Sequence, residues 1–177
     1  MIYHLTHKVL KGTRKSREQN PSDYVPEDDL IQKANIAAWA AGFVDGEGSF
    51  SIVYQKSLKH HSFIVVATAC QNDIRPLLKL KEVYGGTIYQ EKRDEIYRWH
   101  IYGFALARFL REVIPFLIVK KEEALLCLKF REILERRNGG KIPEEELSER
   151  FKLVEEYKVL RESKRNRTFP SMNGFIN

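Results

Sequence analysis

Two closely spaced pairs of alternating segments constrain the fold of this chain more than any other feature. In Phe50-Ser51-Ile52-Val53-Tyr54-Gln55, the residues Phe50, Ile52 and Tyr54 share one face, with Ser51, Val53 and Gln55 opposite. Residues 61–70 are rich in β-branched side chains and read as the partner strand across a turn at 56–60. A short amphipathic helix over 73–84 follows, with Leu77, Leu80 and Tyr84 at helical spacing, and Gly85-Gly86 closes it. A second hairpin then uses 87–92 and 96–102, turning at Arg93-Asp94-Glu95. Three helices complete the pattern: 104–113, stopped before Pro115; 121–137, ended by Asn138-Gly139-Gly140; and one from Pro143 to about Ser163. Ahead of the first hairpin, Glu27, Asp28 and Asp29 favour a helix start, since carboxylates complement exposed N–H groups. That helix should run over 28–44, with Gly46 and Gly48 ending it. The order α-β-β-α-β-β-α-α-α predicts an α+β fold, a mostly antiparallel four-stranded sheet with helices on one face. The opposite face is left for solvent or for binding.

Composition is consistent with one compact domain. The chain has 177 residues, 43% hydrophobic, with ten Phe, eight Tyr and two Trp to fill a core. A net charge of +6 favours a polyanionic partner, although solubility alone accounts equally well for such a balance. The charge is uneven. Lys8, Lys11, Arg14, Lys15 and Arg17 cluster early, and Arg161, Lys164, Arg165 and Arg167 late, while Glu144, Glu145, Glu146 and Glu149 form an acidic block. Residues 1–27 read as a basic N-terminal arm, 28–163 as the domain, and 164–177 as a tail. No apolar run approaches the roughly 20 residues of a membrane span, and the N-terminal segment has no secretion-signal pattern. Both observations predict an intracellular protein with no membrane partner. Cys70 and Cys127 are isolated in apolar surroundings, as expected of two buried, reduced thiols. The five histidines, with His4 and His7 in the arm and His60 and His61 in a turn, offer no zinc spacing.

The chemistry points to Ala40-Ala41-Gly42-Phe43-Val44-Asp45-Gly46-Glu47-Gly48-Ser49. Ile36, Trp39 and Phe43 form a stripe of large residues expected to face the core. Ala34, Ala38, Ala41 and Gly42 form a stripe of small residues, which allows a second helix to approach closely. The segment occurs once, so the partner helix is expected from another subunit. Asp45 and Glu47 sit at a helix C-terminus, where carboxylates are disfavoured and need a compensating partner such as a metal ion. Two Glu47 residues meeting across a two-fold axis would require divalent cations between them, the layout of a two-metal phosphodiesterase. A glycine-capped structural helix leading into a strand explains the bare spacing as well. A calcium loop does not, because Phe50 and Lys56 stand where glycine and a bidentate glutamate are needed.

Residues 40–48 resemble the LAGLIDADG motif, with Ala40 in place of the first leucine. The similarity spans roughly 30–130 and includes the helix and strand order, Gly85-Gly86 before the third strand, Pro115-Phe116-Leu117, and Lys120 ahead of Lys121-Glu122-Glu123-Ala124. The resemblance implies the αββαββα fold of homing endonucleases, with a saddle-like antiparallel sheet. A single motif implies a homodimer through the motif helices, involving Ala34, Ala38, Ala41, Gly42 and Asp45. It further implies double-stranded DNA as substrate and metal-dependent hydrolysis of a long pseudo-palindromic target across the minor groove, leaving 3′ overhangs. The cofactor would be Mg²⁺, with Mn²⁺ or Ca²⁺ as substitutes, the latter in a trapped complex.

By the same resemblance, Glu47 and the Gly46 carbonyl would bind metal, and Glu47, Gln71 and Lys120 would be catalytic. Gln71 would position water or the scissile phosphate, and Lys120 would offset charge on a pentavalent phosphate. Metal-activated water would attack one phosphodiester in line on each strand. Strand alternation then aims Ser49, Ser51, Val53, Gln55 and Ser57, with Ser62, Ile64, Val66 and Thr68, at the DNA major groove. Tyr89, Glu91, Arg93, Arg98 and His100 complete the face, with Arg98 suited to guanine. A one-residue slip would invert these assignments. Two alternatives share the scaffold: an intron RNA maturase and a catalytically silent DNA-binding regulator.

Overall fold

A computed structural model describes residues 27–56, 61–91, 95–136 and 142–165. The expectations for the basic arm, for Ser57 and the first hairpin turn, for Arg93, and for residues 166–177 lie outside the described residues. Helix α1 spans Glu27–Glu47, followed by strands β1 (Gly48–Lys56) and β2 (His61–Gln71) and helix α2 (Ile74–Tyr84). Strands β3 (Thr87–Gln90) and β4 (Tyr97–Tyr102) lead into α3 (Gly103–Val113). A 3₁₀ turn, Ile114–Phe116, precedes α4 (Lys121–Glu135) and α5 (Glu144–Arg165). The sheet order is β1-β2-β4-β3 and every pairing is antiparallel.

The element order is the one the alternation predicts, with informative differences at the ends. Helix α1 continues through Gly46 to Glu47, three residues past the expected stop. Glycine costs a helix only about 1 kcal/mol, and a lysine from elsewhere satisfies two of the last carbonyls. Helix α5 runs through Arg165, so the expected tail boundary after 163 falls within a helix. Asp73 caps α2, its side chain accepting from the Arg75 amide at 3.0 Å.

The core lies between the sheet and the helices. Phe50, Ile52, Val65, Ala67, Ala69, Trp99 and Ile101 supply its sheet side. Leu77, Leu80, Leu106, Phe109, Leu110 and Phe130 supply its helical side. Trp99 is fully buried, with its indole N–H donating to the Gly85 carbonyl at 2.8 Å. Tyr157 ties α5 to β1, its hydroxyl donating to the Phe50 carbonyl at 2.7 Å. Among the described residues, no helix is long and apolar enough to cross a membrane.

Candidate active site and nucleic-acid face

The C-terminal end of α1 is locked to the turn before α4. The Asp45 carboxylate accepts from the amides of Ile118 at 2.7 Å, Val119 at 3.1 Å and Lys120 at 2.9 Å. In return, the Lys120 ammonium donates to the Val44 carbonyl at 3.0 Å and to the Asp45 carbonyl. This explains a carboxylate at the unfavourable end of a helix dipole. Asp45 points away from its own helix into three converging amides, and the lysine occupies the negative pole. Burial lowers the Lys120 pKa, while the carboxylates of Asp45, Glu123 and Glu47 oppose that shift. Among the described residues, Asp45 thus has partners within its own chain; the expected interface role rests on nothing in this geometry.

Glu47 is different. It is exposed, and among the described residues its carboxylate accepts no hydrogen bond and joins no ion pair. Gly46 beside it is also exposed, with nothing within 4 Å of a would-be Cβ. Gly48 is required by packing: a Cβ there would lie 2.6 Å from Val44 Cγ1 and 2.9 Å from the Thr68 carbonyl oxygen. The absence of that Cβ brings β1 against β2 directly after Glu47, and so places Glu47 at the mouth of the sheet. Among the described residues, no group of three metal-ligating side chains exists. The donor set nevertheless suits a hard divalent cation, which commonly takes one or two protein carboxylates and completes its shell with water and substrate phosphate oxygens.

Two expectations for α1 are corrected. Trp39, expected in the core, is 39% exposed and stacks on Phe43 with ring centroids 5.8 Å apart. Ala41, expected at a subunit interface, is fully buried within the chain beside Ala37, Ala40 and Val44. The reason is packing: α1 lies against β1, β2 and α3, and its small residues Ala37, Ala40 and Ala41 are buried on that side while the larger Trp39 ring is turned outward. Ala34, Ala38, Gly42 and Gly46 remain exposed at intervals of four along the helix.

The strand register puts the expected residues on the face opposite the core. Ser49 pairs with Thr68, Ser51 with Val66, Val53 with Ile64 and Gln55 with Ser62. All eight are exposed or half-exposed, whereas Phe50, Ile52, Val65 and Ala67 are buried. The Ser49 and Thr68 hydroxyls are 2.8 Å apart. Thr68 continues across to His100, which pairs with Thr87, and Tyr89 pairs with Arg98. Arg98 is not free: its guanidinium donates to Glu91 at 2.6 Å, and that hydrogen bond raises its pKa. Tyr89 and Tyr102 flank His100, with centroids 5.3 and 6.0 Å from it.

Cys70, Thr87 and Tyr102 share this face by register and were missed; Cys70, expected to be buried, is half-exposed because strand parity turns it away from the core. Extending the alternation by one step along each strand identifies them. Gln71 ends β2 two residues beyond the partner of Gly48, at the sheet end that carries Glu47. Its side chain accepts from the Asn72 amide at 2.9 Å, and no described contact joins it to Glu47 or Lys120. Its pairing with Tyr97 puts it on the parity of the core-facing residues, although at the end of the strand it is half-exposed.

Comparisons with known proteins bear on this arrangement. The chain is similar in structure to the homing endonuclease I-CvuI, solved in complex with its target in the presence of Ca, with a TM-score of 0.64 and 23% identity. That match covers 73% of this chain and 84% of I-CvuI. An archaeal intron-encoded homing endonuclease, I-Vdi141I, complexed with DNA, gives a TM-score of 0.63 at 24% identity, covering 84% of this chain and 93% of that one. I-SmaMI bound to cleaved DNA gives a TM-score of 0.57 at 23% identity, covering 67% of this chain and 42% of that one. Among curated proteins, no sequence matches significantly. The family model described as LAGLIDADG endonuclease matches residues 40–129, beginning at the buried alanines of α1 and ending within α4, and so includes the Asp45–Lys120 lock, Glu47 and the whole sheet. The chain therefore belongs to the LAGLIDADG endonuclease family.

Proposed function

We propose that this protein is a site-specific DNA endonuclease that acts as a homodimer and cuts both strands of a long, partly palindromic duplex. The observation that carries the reading is the exposed carboxylate of Glu47, unpaired among the described residues, beside the half-buried Lys120 ammonium and at the end of a sheet face that no described helix covers. Family membership supports it, as does the DNA bound in the similar structures, one of them with Mg and uncleaved DNA. A divalent cation held by Glu47 and the Gly46 carbonyl would activate water and neutralise phosphate charge. Lys120 adds a fixed positive charge where negative charge develops on the phosphate. Asp45 keeps that lysine in place by gripping the turn that bears it.

The second subunit follows from the single motif and from the exposed small residues of α1. Gly42 and Gly46 have room for side chains within the protomer, so their smallness is explained by close approach of a second α1. One Glu47 from each subunit then serves one strand. The sheet face would lie in the major groove, with Ser49, Gln55, Thr68 and His100 among its polar readers. Lys158, Arg161 and Arg165 of α5 line a groove with Ser51 and Val53 of β1, and suit the DNA backbone alongside that face.

The test is cleavage of a randomised duplex library with Mg²⁺, with Glu47→Gln as control and sequencing of the cut ends. Recovery of one long, partly palindromic site with 3′ overhangs, and no cutting by the control, supports the reading. Cutting by Glu47→Gln removes Glu47 from catalysis. Selective binding without cutting by either protein moves the assignment to a DNA-binding regulator, or to an intron RNA maturase if RNA is preferred.

A further inference from the structure

The turn that carries Lys120 is poorly anchored by apolar contacts. Leu117 is buried, but Ile118 is 87% exposed and Val119 is 61% exposed. Its position therefore depends on polar contacts, and these come from two sides. Asp45 holds the Val119 amide and, at 2.9 Å, the Lys120 amide, which is the N–H of the Val119–Lys120 peptide, from the α1 side. From the other side, the Lys164 ammonium near the end of α5 donates to the Val119 carbonyl at 2.8 Å. The same ammonium bonds Glu123 at 2.6 Å and lies 3.4 Å from Glu122, both in the first turn of α4. Glu123 is buried, 4% exposed.

We propose that Lys164 is a positioning residue for Lys120, clamping the Val119 peptide against α4 while Asp45 clamps it against α1. The inference rests on the nuclease reading for its catalytic consequence. Lys120 follows Val119 directly, and its ammonium must reach the Val44 and Asp45 carbonyls at the end of α1. Without Lys164, one side of the preceding peptide is released, and the lysine swings with it. A different role for Lys164 would be neutralisation of buried Glu123 alone, since removing one partner of a buried pair is costly. Another would be direct contact with a DNA phosphate. The three roles separate experimentally.

The measurements use the duplex site recovered from the Mg²⁺ library. They are single-turnover cleavage with Mg²⁺, duplex binding with Ca²⁺, thermal stability, and amide exchange over 118–120, for Lys164→Met, Lys164→Arg and the double variant Glu123→Gln/Lys164→Met. Displacing a catalytic group by about 1 Å costs up to roughly a hundredfold in rate. Lys164→Met should therefore cut at least about tenfold more slowly, with binding nearly unchanged and faster exchange over 118–120. Lys164→Arg should recover most of the rate, and the double variant should recover stability but not rate. Recovery of the rate together with stability in the double variant would overturn the positioning role, leaving only charge neutralisation. A loss of binding matching the loss of rate would make Lys164 a DNA contact instead. If the unaltered protein cuts nothing, the nuclease reading fails separately. Exchange over 118–120 in the double variant then decides the clamp: faster exchange supports it and unchanged exchange overturns it.

Discussion

Asp45 and Lys120 each satisfy the backbone of the other's segment. The carboxylate collects three amides of the 118–120 turn, and the ammonium covers two carbonyls at the end of α1. Because each side chain uses the other's main chain, the two are coupled without a direct ion pair. Loss of either releases both segments.

Asp45→Asn should therefore destabilise the fold by about 1 to 3 kcal/mol, because an amide oxygen cannot replace a carboxylate that serves three donors. Cleavage should fall with it. A double-mutant cycle with Lys120→Met, read by chemical denaturation, should show coupling above about 0.5 kcal/mol. Strict additivity would mean that the two caps act independently.

Gly48 and Gly42 should respond oppositely to alanine. Gly48→Ala forces a Cβ against Val44 and the Thr68 backbone and should cost about 1 to 3 kcal/mol. Gly42→Ala meets nothing within 4 Å and should favour the isolated helix by up to about 1 kcal/mol. Under the proposed dimer it should nonetheless weaken association, seen as a higher dimer dissociation constant in sedimentation. Unchanged association would remove Gly42 from the interface.

Glu91→Gln should free Arg98 from its ion pair on the outer face of the sheet. DNA binding should tighten, with a salt slope steeper by about one. If affinity and slope stay the same, the Arg98 guanidinium does not reach DNA.

The buried thiol of Cys127 predicts alkaline sensitivity. Burial pushes its pKa up to about 12, with a smaller push from Glu123. A raised folded-state pKa means the native protein holds the proton longer than the unfolded chain. The stability it contributes is fully present below the ordinary thiol range near 9 and is lost as pH rises toward about 12. Cys127→Ala should lower stability at neutral pH by leaving a cavity, yet flatten the decline over that window in denaturant titrations. An unaltered slope would show that other groups carry it.

The strand faces were legible in the sequence because period 2 leaves only two choices, and burial of Phe50 and Ile52 selects one. Ser49, Gln55, Thr68 and His100 consequently lie where the alternation puts them. The motif segment at the end of α1 was legible only through its resemblance to the family, whose model covers it, since its glycine spacing alone fits a capped structural helix equally well. The helical stripes were not. At 3.6 residues per turn, size alone does not say which stripe meets which neighbour; packing of α1 on β1, β2 and α3 decided that its alanines Ala37, Ala40 and Ala41 go inward.

What the sequence by itself determined is local: the order of elements, the faces of the strands and the family motif. Only the tertiary structure decided that Asp45 belongs to a turn far along the chain, that Arg98 is held by Glu91, and that Lys164 reaches the Val119 carbonyl. Each is a contact between segments whose pattern is silent about the other. Local propensity selects an element, but the partner of a polar side chain is chosen by which unsatisfied backbone group the packed core brings within hydrogen-bond reach.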